Sequence, residues 1–284
     1  VRLIVERERA INDHQSKSTF KVKALFILDG KKNLIAELPK KFDSEEDAMK
    51  FLEACKGAIY TVLDLEKKPS KRSPSAPFTT STLQQEASTK LGYSVIRTMM
   101  IAQKLYEAGK ISYMRTDSVN LSEDAIKAAT SEIARNYGQE YVHERRYQTK
   151  SSNAQEAHEA IRPTDFSVTQ AGADDGQQRL YDLIWKRAIA SQMAQAEIEK
   201  TVATIGISTV PETLTASGEV ITFDGFLKVY LESSDDEDED NEAKNMLPPI
   251  SVGQKLNLGD MRARQEFSRP PARYTEASLV KKLE

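Results

Sequence analysis

The stretch Gly109-Lys-Ile-Ser-Tyr-Met-Arg-Thr-Asp-Ser-Val-Asn120 sets Tyr113, Arg115, Thr116, Asp117 and Ser118 within six residues. It follows a helix that Gly109 is expected to end. Arg115 lies two residues beyond Tyr113, so in an extended segment both side chains point to one face. A phenol oxygen beside a fixed cation suits attack on a phosphodiester, because both the phenolate and the phosphate charge need stabilising. With an ordinary pKa of about 10, only about one tyrosine in a thousand is ionised at neutral pH. Arg115 would favour the anion and pair with a phosphate oxygen through its planar fork. A plainer reading stands beside this one. The chain has ten tyrosines, and a Tyr-x-Arg pair is commonly a half-buried ring next to a surface cation.

The surrounding sequence resembles a known family. ISYMRTDSVNLS at 111–122 is similar to the active-site tyrosine motif of type IA DNA topoisomerases, particularly the bacterial topoisomerase I branch. PSAPFTTSTLQQEAS at 74–88, QEAHEAIRPTD at 155–165 and PPARYTEASLVKKLE at 270–284 resemble further motifs of that family, in the same order. The wording favours the topoisomerase I branch over topoisomerase III or reverse gyrase. A tyrosine recombinase or a phosphodiesterase would not bring the other three motifs.

The resemblance implies an enzyme that cleaves one DNA strand without ATP. Tyr113 would be the nucleophile, giving a 5′-phosphotyrosyl link, and Arg115 would stabilise the phosphorane charge. Asp117 would orient Arg115 or a base, and Thr116 and Ser118 would lie on the DNA with them. His158 and Arg162 would hold the DNA backbone. Magnesium is the implied cofactor, carried by a TOPRIM region expected upstream of this sequence and not by these residues. The implied partners are single-stranded and negatively supercoiled DNA, and the implied setting is a cytoplasmic monomer. On this reading the chain alone should bind single strands weakly and relax nothing. A non-catalytic single-strand binding module of the same fold is the alternative.

Composition frames these expectations. The chain has 284 residues, 39% hydrophobic and 29% charged, long enough for two soluble domains. There is no run of transmembrane length and no signal peptide. A single cysteine, Cys55, excludes an internal disulfide and a cysteine-based zinc site. The net charge of −3 hides an uneven distribution: DDEDEDNE at 235–242 holds seven acids, leaving +4 on the remainder. Residues 66–115 carry nine Lys or Arg against three Glu, the footprint of a phosphate-binding surface or of a solvated face.

Patterning predicts an α+β fold. Val1–Ile11 has helical spacing and reads as the middle of a helix. Two strands in 18–38 flank Asp29-Gly30-Lys31-Lys32, a hairpin signal. Asp43 and Glu46 have capping-box spacing for a helix to Cys55, and a strand follows to Pro69. KKPSKRSPSAP at 67–77 reads as a linker or hinge. Ser81 with Gln84 predicts a capped helix over 80–91, whose polar first turn would cap it or meet phosphates. Helices are expected at 95–108, from Ser122 to about 137, and at 176–195 with Trp185 in its core stripe. In AHEAIRPT, His158 and Arg162 would share a helix face, with Glu159 orienting one of them or simply exposed. TVATIGIS, EVITFDG, FLKVYLE and QKLNLGDMRARQEF read as strands. The expected domains are therefore 1–70 with 196–265, β-rich and discontinuous; an inserted helical 71–195; and 266–284, the start of a further helical region. The acidic tract 233–245 would be a solvated loop.

Overall fold

The computed structural model describes residues 1–28, 33–147, 159–230 and 247–283. The expected hairpin turn at 29–32, His158 and the acidic tract lie outside them. Contacts divide the chain into two units. One comprises Val1–Ser70, Ile198–Thr222 and the described residues up to Arg273; the other comprises Lys71–Glu197 and the described parts of Phe223–Glu237 and Tyr274–Glu284. Of the residues after 265, those up to Arg273 group with the first unit and those from Tyr274 with the second.

The first unit is built on a closed six-stranded barrel. Its strands are β1 (Ser18–Ile27), β2 (Asn33–Glu37), β3 (Tyr60–Arg72), β4 (Ala196–Ile207), β5 (Thr213–Phe223) and β6 (Lys255–Phe267). Around the barrel they run β1-β2-β5-β4-β3-β6. Alternation sets the faces: Val22, Ala24 and Phe26 of β1 turn inward with Leu34 and Ala36 of β2. Register pairs Val22 with Ala263 on β6, and Lys23 with Glu37 on β2. Closure leaves no free sheet edge. Helix α1 (Arg2–Asn12) buries none of its residues. Helix α2 (Glu45–Ala54) packs Ala48 and Phe51 into the barrel core. Its N-cap is Ser44, which accepts from the Asp47 N–H, one residue later than the expected Asp43.

Strand β3 runs through Pro69 to Arg72, so the expected hinge at 67–77 is irregular only beyond Arg72. Acids on β4 lie beside this stretch: Lys67 pairs with Glu199 at 2.8 Å and Lys71 with Glu197 at 3.0 Å. Lys68 pairs with Glu66, and Lys90 with Glu86. Much of the positive charge counted in 66–115 is therefore met by carboxylates, two of them distant in sequence.

The second unit is helical: α3 (Thr80–Leu91), α4 (Val95–Glu107), α5 (Glu123–Asn136), α6 (Asp175–Ser191) and α7 (Glu276–Leu283). Thr79 caps α3 through a complete capping box with Thr82, not the expected Ser81 and Gln84. Ser122 caps α5 as expected. Helix α6 buries Leu180, Ile184, Trp185 and Ile189, and the Trp185 indole donates to the Phe166 carbonyl at 2.9 Å. FLKVYLE at 226–232 was expected as a strand; of it 226–230 are described, and they follow a 3-10 turn over Gly225–Lys228 and no strand. Phe226 and Tyr230 both enter the helical core, and the chain turns between them, the Val229 and Tyr230 N–H groups both donating to the Phe226 carbonyl at 3.1 and 3.0 Å.

Candidate active site

Three stretches of the helical unit meet around Tyr113. Helix α4 ends at Glu107 with Ala108 as its cap, and Gly109 at φ 68° reverses the chain, a conformation open to glycine. Residues 110–120 then run without regular structure, and 159–164 lie alongside them in extended form. Ile161 bridges to Phe78 and Pro163 to Ile111. The expected short helix in AHEAIRPT is therefore absent from Glu159 onward. Backbone pairing with Phe78 and Ile111, both remote in sequence, overrides the i,i+4 spacing.

The backbone on either side of Tyr113 is tightly held. The Ser112 N–H donates to the Arg162 carbonyl at 2.8 Å. The Ser112 hydroxyl donates to the Ala160 carbonyl at 2.7 Å and accepts from the Arg162 N–H at 2.9 Å. On the other side, the Thr80 hydroxyl lies 2.9 Å from the Met114 carbonyl and 3.1 Å from that of Thr116. It also accepts from the Thr116 N–H at 2.8 Å, and the Thr80 N–H donates to the Thr116 carbonyl at 2.9 Å. The first turn of α3 thus grips this segment.

Burial alternates along the segment. Met114, Thr116 and Ser118 are buried, at 2%, 9% and 2% exposure, while Tyr113, Arg115 and Asp117 are exposed. Extended spacing accounts for both sets. Thr116 and Ser118, suggested as DNA contacts, turn their hydroxyls to the backbone: Oγ1 of Thr116 accepts from the Ser118 N–H, and Oγ of Ser118 from the Asn120 N–H. On the open face, Tyr113 Oη, Arg115 and Asp117 make no hydrogen bond or ion pair with a described residue. Of the two roles suggested for Asp117, toward Arg115 or toward a base, no Asp117 to Arg115 ion pair is formed among the described residues. The Tyr113 ring stands edge-on to Tyr106, with centroids 5.3 Å apart and planes at 68°.

Arg162 is largely buried and already engaged. Its Nε and Nη2 donate to one oxygen of Glu159 at 3.1 and 2.6 Å. The other Glu159 oxygen accepts from the Ser122 N–H at 2.7 Å, at the start of α5. Burial opposes the charged form of Glu159, but the bonds from Ser122 and Arg162 outweigh it and hold the carboxyl below its usual range. Glu159 is thus the orienting partner of Arg162 and not a plain surface carboxylate. Sequence reading missed Ser112 and Tyr106, and it placed Thr80 in a polar turn that would cap the helix or meet phosphates, without its hold on 114–116. The only sequence signal for Thr80 was its place in the first turn of a predicted helix.

All 284 residues match the family model described as DNA topoisomerase. The chain belongs to the bacterial DNA topoisomerase I family, of type IA. It is 45% identical over 297 residues to DNA topoisomerase 1 of Zymomonas mobilis, covering 100% of this chain and 24% of that protein. It is 42% identical over 294 residues to DNA topoisomerase 1 of Haemophilus influenzae, covering 100% of this chain and 33% of that protein. Full-length topoisomerase I of Thermotoga maritima superposes with a TM-score of 0.82 at 33% identity, over 99% of this chain and 46% of that one. The chain thus spans between a quarter and a half of the length of these topoisomerases. The α+β architecture of barrel and helical unit is that of the family. Among the described residues, no helix is long and apolar enough to cross a membrane.

Proposed function

We propose that this chain supplies the strand-cleaving tyrosine of a DNA topoisomerase. The Tyr113 oxygen attacks a backbone phosphorus, the bond from phosphorus to the 3′ oxygen breaks, and that oxygen leaves as a hydroxyl. The product is a 5′-phosphotyrosyl link, which the 3′ hydroxyl reverses after strand passage, relaxing negatively supercoiled DNA without ATP. Arg115, on the same open face, pairs with the charge that builds on the phosphate oxygens. Asp117 meets the neighbouring nucleotide. His158 and Arg162 hold the backbone, Arg162 from a position that Glu159 fixes. Thr116 and Ser118 shape the loop that presents the other three.

The observation that carries this reading is the alternation along 113–118. One face is bonded into the protein, and the other offers a phenol, a guanidinium and a carboxylate without described partners. Polar side chains left open on a held backbone suit a ligand that completes them.

Magnesium does not fit the residues at hand. Glu159 is already taken by Arg162 and Ser122, which leaves Asp117 as the open carboxylate of the cluster. Among the described residues, no group of three or more His, Cys, Asp or Glu is placed to hold a metal. On our reading the ion is bound outside this chain's cluster, and the protein works in the cytoplasm on its own DNA. The test is Tyr113→Phe in the full-length protein. Relaxation should vanish while single-strand DNA binding persists; retained relaxation would refute the assignment.

A further inference from the structure

We infer that Tyr106 is a positioning residue for Tyr113, which deepens the reading just given and rests on it. The backbone flanking Tyr113 is fixed by Ser112 on one side and by the Thr80 hydroxyl on the other. What remains free is the rotation of the Tyr113 side chain, and its hydroxyl has no described partner to stop it. The ring contact that limits it is Tyr106, edge-on at 5.3 Å and 68°. This is the favoured geometry for an aromatic pair, in which the positive edge of one ring meets the negative face of the other.

The contact follows from the local chain path. The Gly109 N–H donates to the Tyr106 carbonyl at 2.8 Å and the Lys110 N–H to that of Leu105 at 2.9 Å. The chain therefore doubles back over the last turn of α4 and brings residue 113 onto residue 106. Tyr106 itself stands on a rigid base, because Ile101, Ala102 and Leu105 anchor α4 in the helical core. Both rings remain in reach of solvent, at 40% and 44% exposure, so the pair is not a core contact. Tyr106 thus holds the nucleophile in its attacking rotamer before DNA arrives, lowering the ordering cost of the cleavage step.

The test uses the full-length protein and a labelled single-stranded oligonucleotide, with affinity and single-turnover cleavage measured separately. Tyr106→Leu should slow cleavage at saturating DNA by about two- to tenfold and leave the dissociation constant unchanged. Tyr106→Phe should restore the rate, since the ring and not the hydroxyl makes the contact. An unchanged cleavage rate in a folded Tyr106→Leu protein overturns the inference. So does weaker DNA binding with a normal rate at saturation, which would make Tyr106 a DNA contact. If Tyr106→Leu fails to fold, Tyr106→Phe and Tyr106→Trp decide: both keeping the rate supports the role, and a loss in Tyr106→Phe contradicts it. If Tyr113→Phe cleaves as well as wild type, the assignment of the nucleophile itself has failed, an outcome distinct from the others.

Discussion

The guanidinium of Arg162 is folded onto the carboxylate of Glu159, with Nη2 at 2.6 Å and Nε at 3.1 Å from the same oxygen. The pair joins the extended 159–164 segment to the start of α5 through Ser122, and so fixes one wall of the tyrosine site.

Glu159→Gln removes the charge and one acceptor from this joint. It should destabilise the chain by about 1–2 kcal/mol, given partial exposure of both partners. The pH dependence has a defined sign. Glu159 lies below its ordinary value of 4.5 in the folded state. Its contribution is therefore complete above that value and is lost as pH falls through the lower folded value. Melting curves across the acid range should show wild type losing its advantage over Glu159→Gln as acid is added. A constant difference would contradict the pairing.

Thr80→Val keeps the shape of the side chain but removes the hydroxyl beside Met114 and Thr116. The Thr116 N–H loses its acceptor at a part-buried position, a cost of about 1–3 kcal/mol. We expect slower cleavage with the fold retained, read by circular dichroism and single-turnover kinetics. Wild-type kinetics would show that the grip of α3 on this loop is dispensable.

Gly225 sits at φ +49°, and a Cβ there would lie 2.5 Å from the carbonyl oxygens of Ala194 and Gln195. Both obstacles are backbone, so no rotamer change relieves them. Gly225→Ala should lower stability by about 2 kcal/mol or more, measured by denaturant unfolding. A neutral result would mean that the 3-10 turn after β5 is not formed.

Much of this fold is legible from local pattern, and its exceptions have physical reasons. Alternation marks β1 and β2, and Ser122 marks the start of α5, because each signal acts within a few residues. FLKVYLE reads as a strand from its apolar residues, and that reading fails because Phe226 and Tyr230 pack into the helical core around a turn. The short helix that AHEAIRPT allows before Pro163 does not form from Glu159 onward, because the pairing partners Phe78 and Ile111 come from distant parts of the chain. Within the site, two-residue spacing suggested a shared face for Tyr113 and Arg115. The inward turn of Thr116 and Ser118 follows from the same alternation. The contact of Tyr106 with Tyr113 depends on the reversal at Gly109, which spacing alone does not reveal.

Two buried tyrosines set an alkaline limit. Burial pushes the Tyr60 phenol up to about 12, and likewise that of Tyr181. A raised pKa means stability that is complete below the unfolded value of about 10 and is lost as pH rises through the folded one. Tyr60 lies in the barrel core and Tyr181 in the helical core, so both units should weaken between these limits. In an ultraviolet titration these two should ionise late and together with unfolding. Their ionisation near pH 10 in folded protein would contradict the burial.

The central claim, that Tyr113 attacks DNA, is tested most directly by covalent trapping. The chain is mixed with a labelled single-stranded oligonucleotide and magnesium, with and without the N-terminal region of a relative added in trans, and then denatured in SDS. A labelled protein band that requires the added region and disappears in Tyr113→Phe is the predicted result. A band that persists in Tyr113→Phe, or none under either condition from folded protein, would contradict it.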